Sequence, residues 1–287
     1  MIERDFTFKK YLQLCEKMVN SDYEIMPVER YFTEDKPHKL IILRHDVDDG
    51  VDIPYTLKMA RKEAELGIHS TYYFRVNDEV FKPEVIREVK ELGHEIGYHY
   101  DVLGKANGDY ECAIELFKEE LAKLRSIYDV KTISMHGGPF SSNLNAASFK
   151  GLLEVVKNVF SRNRTFVNWD SRDLWRKYDF EDYGIMGEVY LSIDYSRVLY
   201  LSDTNRSWSD TKRRLMDFVE GSDRVKLNGT NELMELIERG EFERMLILTH
   251  PPVWRDEYLK WLNWLILQQI KNLGKTFLKY HWKNKKN

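Results

Sequence analysis

Carboxylates and a histidine crowd one short stretch of the chain: residues 39–50 read KLIILRHDVDDG, an apolar run followed by His45, Asp46, Asp48 and Asp49. Acids at the end of a buried strand are costly unless a cation, a metal or a reaction uses them. Side chains alternate along a strand, so Asp46 and Asp48 project to one face and His45 to the other. Two carboxylates on one spot need a divalent ion or a shared proton to relieve their repulsion.

Three more segments carry histidines at the ends of strand-like runs. Residues 92–101, LGHEIGYHYD, hold His94 and His99. Five extended residues span roughly 16 Å, and the odd separation turns the two rings to opposite faces. His99, nearer the C-terminal end, is placed to meet Asp48, and His94 is expected to bond locally at the strand's start. A lone histidine is more often a satisfied structural residue; the acidic strand end is what shifts the reading of His99. Residues 133–140, ISMHGGPF, run into His136 and a glycine-rich turn that lets backbone approach a bound group. A metal ligand and a loop histidine that caps a neighbouring helix fit that segment equally. Residues 245–254, MLILTHPPVW, present His250 off the end of an apolar strand. The two prolines lower the entropy of its loop, which suits a general acid. Trp254 offers a flat face of the kind sugars stack on, although a tryptophan is more often packing.

The elements that must position these residues alternate. Helical periodicity falls in residues 6–20, 54–66, 80–92, 109–127, 145–158, 211–220, 229–239 and 255–272. Strand-like runs fall in 40–46, 69–75, 94–100, 131–136, 159–168, 185–191, 197–202 and 244–249. The order is that of βα units around a parallel sheet or barrel. Asp46, Asp48, His99, His136, Asp203 and His250 all fall at or just past the C-terminal ends of strands, where sites form in α/β folds.

Bulk properties set the class. Of 287 residues, 43% are hydrophobic and 32% charged, enough for a large core and a wet surface. With no linker-like stretch, one domain over 1–287 is expected, with 1–38 as a helical lead-in and 255–287 as an amphipathic helix and basic tail. Cys15 and Cys112 lack paired spacing and read as reduced thiols, which fits a cytoplasmic protein. No signal-peptide core and no run of 18 apolar residues is present, so neither secretion nor membrane spanning is expected. Net charge is −3, but residues 258–287 hold seven lysines and no Asp or Glu, leaving −10 for the rest. One basic tail on an acidic body argues against nucleic acid as a partner.

Together the four motif segments resemble the polysaccharide deacetylase family, the NodB-homology carbohydrate esterases, and in particular a surface-polysaccharide branch that opens with RHDVD. The similarity runs from about residue 40 to 255. It implies a distorted (β/α) barrel with fewer than eight regular strands. It also implies Asp46 as catalytic base, Asp48 and His99 as metal ligands, and His250, in Leu248-Thr249-His250, as the acid. Aligning on Gly50 instead would move the first two roles by one or two residues, toward Asp49, but strand parity favours Asp46 with Asp48.

Two departures stand out. Where the family has a second metal histidine four residues beyond the first, this chain has Leu103. His136 stands in the region of the family's third motif, which ordinarily has an arginine followed by a proline, and our expectation is that it replaces that ligand. Asp203 is expected to orient a catalytic group and Trp254 to contact substrate.

One carboxylate and two imidazoles suit Zn²⁺, with Co²⁺ or Ni²⁺ as alternatives, better than Mg²⁺. The implied reaction is metal-dependent hydrolysis of an N-acetyl group on a sugar, nucleotide-linked or lipid-linked. A saccharide-binding protein without turnover and another metal hydrolase are the competing readings. The apolar, tryptophan-rich and lysine-rich segment 258–287 is compatible with peripheral contact at the inner face of a membrane. A final helix packed on the barrel fits it equally.

Overall fold

Leu40–Val47 (β2) is buried at all eight positions, as an interior strand of a parallel sheet must be. The computed structural model describes residues 4–137, 169–208, 219, 221 and 223–285. The expected helix 145–158, the strand 159–168 and all of the helix 211–220 except Val219 lie outside the described residues.

Around β2 the described chain builds an eight-stranded, all-parallel sheet from Glu24–Met26 (β1), Thr71–Phe74 (β3), Glu95–Tyr100 (β4), Thr132–Met135 (β5), Gly187–Glu188 (β6), Leu199–Ser202 (β7) and Arg244–Thr249 (β8). The order is β6-β5-β4-β3-β2-β8-β7, with β1 paired beside the first residues of β2. One edge of β2 is thus shared: β1 takes Leu40 to Ile42, and β3 takes Arg44 to Val47.

The sheet curls. Val189, just after terminal strand β6, packs in the same buried cluster as Tyr200 of terminal strand β7, together with Leu40, Ile42, Tyr73, Leu246 and Leu248. The even-numbered residues of β2 face this interior. Gly97 makes room for it, since a Cβ there would lie 2.2 Å from the Tyr73 ring. The odd-numbered Ile41 and Leu43 pack outward against the helices Phe8–Val19 and Thr230–Arg239. The helices Pro83–Glu91 and Tyr110–Arg125 cover Tyr72, Ile96, Tyr98 and Ile133 on the other flank. Each such fully buried aliphatic side chain stabilises the fold by about 1.5–3 kcal/mol, so the curl is fixed by two apolar layers.

Local chemistry sets the ends of elements. Thr7 Oγ1 accepts from Lys10 N at 3.1 Å and starts the first helix; Asp109 accepts from Glu111 N and Cys112 N and starts another. Gly93, at φ +88°, turns the chain from helix into β4 with a backbone that other residues rarely adopt.

Three expectations change. The strand 185–191 is only Gly187–Glu188, because the Glu188 carboxylate accepts from Tyr190 N (2.7 Å) and Leu191 N (2.9 Å) and caps a helical turn, Val189–Ser192. The helical lead-in also contains β1. The C-terminal helix runs Tyr258–Lys285, well past residue 272.

Candidate functional site

At the C-terminal ends of β2, β4, β5 and β8 the curl brings side chains together that a flat sheet would separate. Strands β5 and β8 stand four intervals apart, roughly 19 Å on a flat sheet. Yet His136 Nε2, just after β5, and His250 Nε2, just after β8, lie 3.8 and 3.9 Å from the Asp48 carboxylate.

Asp48, His99 and His136 form the centre, with one ligand-type atom from each lying within 4.8 Å of the others. His99 Nε2 is 3.1 Å from Asp48 Oδ1. Its Nδ1 sits 2.9 Å from the Ser134 carbonyl, which can only accept, so Nδ1 carries the proton and the Nε2 lone pair points at the carboxylate. The rings of His99 and His136 meet edge to face at 5.2 Å. Burial, aided by Arg75, holds His136 below the usual imidazole range and keeps it neutral. Burial opposes ionisation of Asp48, but the imidazoles of His99, His136 and His250 gathered around it hold its carboxyl well below the usual range.

A cation fits this donor set. Asp48 Oδ1 and His136 Nδ1 are buried without a hydrogen-bond partner, and so is Asp101 Oδ2, 3.7 Å from His136 Nδ1. A proton on Nδ1 facing Asp101 leaves Nε2 free toward Asp48, the arrangement in which a carboxylate behind a histidine fixes its tautomer for a metal. One carboxylate and two imidazoles converging on one point are donors that a catalytic dication takes.

Asp46 lies beside this centre, Oδ2 3.6 Å from His99 Nε2. Arg44, wholly buried, donates Nη2–H to both its oxygens at 2.7 and 2.5 Å. The rings of Tyr73 and Tyr190 flank the Arg44 guanidinium at 5.0 and 5.3 Å. Asp49 turns elsewhere: its Oδ1 accepts from Gly50 N at 2.7 Å, so Asp46 and Asp48, and not Asp49, share the inner face.

His250 is held from behind. Its Nδ1 is 2.6 Å from Asp203 Oδ1, and its backbone N donates to Asp203 Oδ2 at 2.9 Å. Burial would lower the imidazole, but Asp203, with help from Asp48 and Asp46, pushes it up to about 10. Trp254 Nε1 donates to the same Asp203 oxygen at 2.9 Å. The expected open face of Trp254 is corrected: the ring is fully buried between Phe6, Tyr11 and Trp208, so it supports Asp203 and offers no surface to a sugar.

The structure therefore brings together Asp46, Asp48, His99, His136, His250 and Asp203, and sets Trp254 behind them. His94 stays apart, accepting from Ser70 N (3.2 Å) and facing the Ala60 carbonyl (2.9 Å). Leu103 is packed in the core, away from any ligand role.

Sequence reading missed Arg44, Asp52, Arg75 and Asp101. The parity that pairs Asp46 with Asp48 also puts Arg44 beside Asp46 and Asp101 beside His99, so the signal was there for both. Asp52 had none: its Oδ2 accepts from Asp48 N (2.8 Å) and Asp49 N (3.1 Å), and burial plus the charge of Asp48 raises it to about 8. Arg75 reaches in from the end of β3, Nη1 donating to the Asp48 carbonyl at 3.1 Å.

No family model matches the chain, and no curated protein does. Among solved structures it is similar to a mutant of the peptidoglycan deacetylase PdaC from Bacillus subtilis, at 13% identity and a TM-score of 0.31, over 87% of this chain and 100% of that one. So loose a superposition assigns neither fold nor function.

Proposed function

We propose that the chain is a metal-dependent hydrolase that removes an N-acetyl group from a sugar. The observation that carries the reading is the convergence of Asp48, His99 and His136 within 4.8 Å, with Asp46 on one side and the His250–Asp203 pair on the other. The RHDVD, GHEIG and Leu-x-His segments, which resemble those of polysaccharide deacetylases, supply these residues and support the choice of an amide on a saccharide.

Asp48, His99 and His136 would hold the cation, Zn²⁺ with Co²⁺ or Ni²⁺ as alternatives. When bound, such an ion acidifies water and polarises a carbonyl oxygen. Asp46 takes the proton of the attacking water, its carboxylate aimed by the two bonds from Arg44. As the C–N bond of the amide breaks, His250 gives its proton to the departing nitrogen, without which an amine leaves poorly. Asp203 keeps His250 protonated until that moment. Acetate and a free sugar amine are the products.

The test is acetate release from N-acetylated sugars, free, nucleotide-linked and lipid-linked, by protein whose metal content has been measured. Release that stops on chelation and returns with Zn²⁺ is the expected result. Metal binding and glycan binding without amine formation on any of these substrates would reject the enzyme in favour of a binding protein.

A further inference from the structure

The helix Tyr258–Lys285 is fastened to the body along one face and bare along another. On the fastened face Trp261 Nε1 donates to the Asp5 carbonyl at 2.7 Å and Asn272 Nδ2 to the Asn205 carbonyl at 3.2 Å. Arg4 and Arg206 lie over the Trp261 ring at 5.5 and 5.2 Å, and Arg255 over Trp264 at 4.4 Å. At 3.6 residues per turn, Leu259, Leu262, Ile266 and Ile270 occupy an arc of about 80° on the opposite side. Leu259 is 71% and Ile266 50% exposed, and Leu262 and Ile270 are partly so. The sequence repeats the spacing at Leu273 and Phe277.

A continuous apolar stripe of this kind marks an interaction surface. Charge selects the partner. Residues 258–287 carry seven lysines and no acid, so pairing the stripes of two copies would set two strongly cationic segments side by side, whereas an anionic surface attracts them. No helix among the described residues is long and apolar enough to cross a membrane, so the contact runs along a surface.

We propose that the helix Tyr258–Lys285 docks the protein on an anionic lipid surface, with the stripe through Leu259 and Ile266 entering the interface and the lysines held by the headgroups. The helix follows β8 and the loop that carries His250 and is bonded to Asn205 just past β7, so it sits at the same end of the sheet as the candidate site. The proposal does not rest on the hydrolase reading, and its test involves no turnover.

The full chain is sedimented with vesicles of phosphatidylcholine alone and with vesicles containing about one third phosphatidylglycerol. Partition at least about ten-fold stronger onto the anionic vesicles, weakened by salt, is expected. Leu259→Glu with Ile266→Glu should abolish it without altering the melting curve, since both positions are exposed. Lys275→Gln, Lys279→Gln and Lys283→Gln together should weaken it while leaving the stripe intact. Equal partition onto neutral and anionic vesicles, or unchanged partition of the double Glu variant, would overturn the proposal. A concentration-dependent dimer that the double Glu variant dissolves would give the stripe to a second copy and overturn it as well.

Discussion

The two faces of β2 use the same residue types to opposite ends. On the outer face His45 and Glu63 are wholly buried, His45 Nε2 3.0 Å from Glu63 Oε1 and His45 Nδ1 2.6 Å from Thr249 Oγ1. Tyr11 donates to the same Glu63 oxygen, and Ser70 Oγ donates to the other at 2.6 Å. On the inner face Asp48 and His136 keep buried atoms without partners, and His99 aims a lone pair at a carboxylate. Histidine beside carboxylate is therefore no mark of a site in itself. What separates the faces is what converges on what: on the outer face one histidine and two hydroxyls close on a single glutamate, whereas on the inner face three histidines gather around one aspartate with a second aspartate beside it.

Neighbouring residues on one strand sharpen the contrast. Asp46→Asn should cut turnover by about 10²–10⁴-fold while the metal content and the melting curve stay as they were. Retained turnover would remove Asp46 from the role of base. Glu63→Gln, on the other face, should do the reverse and cost about 1.5–3 kcal/mol of stability, because it removes the buried carboxylate on which His45, Tyr11 and Ser70 close. Denaturant unfolding reads that loss, and zinc affinity of the folded protein should not move. A Glu63→Gln chain that is equally stable but fails to bind zinc would erase the distinction between the faces.

Asp101→Asn tests how far the inner network extends. It should weaken metal binding by about 10–100-fold, as loss of a carboxylate behind a metal histidine does, and unchanged affinity would leave His136 oriented by something else.

The two faces also answer pH differently. Burial opposes the charge of Glu63, but His45 and His94 hold its carboxyl at about 2, below its ordinary 4.5. Its contribution to stability is present above pH 4.5 and is lost as pH falls toward 2. Asp52, supporting Asp48, is raised to about 8, so its protonated form favours the fold and that contribution fades as pH rises from about 4 through 8. Asp52→Asn should flatten the alkaline side of a melting profile and leave the acid side unchanged. The smallest effect expected is that of Trp254→Phe, which removes one hydrogen bond to Asp203 and should slow turnover by about ten-fold with KM unaltered.

How much of this was legible in the sequence follows from what each rule can see. Strand parity read Asp46, Asp48 and His99 onto one spot, because alternation along β2 and β4 survives into the fold. It did not join His136 and His250 to them. Their approach depends on the curl of the sheet, which comes from packing between Val189, Tyr73 and Tyr200, residues far apart in the chain. Apolar runs gave β2, β4 and β8 within a residue or so, while β1, three residues long, was lost because it pairs only beside the first half of β2. The Glu188 cap defeated the strand expected over 185–191, since a side chain that takes two backbone N–H groups leaves no trace in hydropathy. Trp254 was misjudged because its ring contacts, Phe6 and Tyr11, come from the other terminus.

Arg44 has a consequence for the aim of Asp46. Its guanidinium is sealed in the sheet between two tyrosine rings, and one nitrogen holds both oxygens of the carboxylate. Were Asp46 to swing away, a cation would be left alone in a medium that tolerates it badly. The carboxylate is moored there, so whatever reacts with it must come to it.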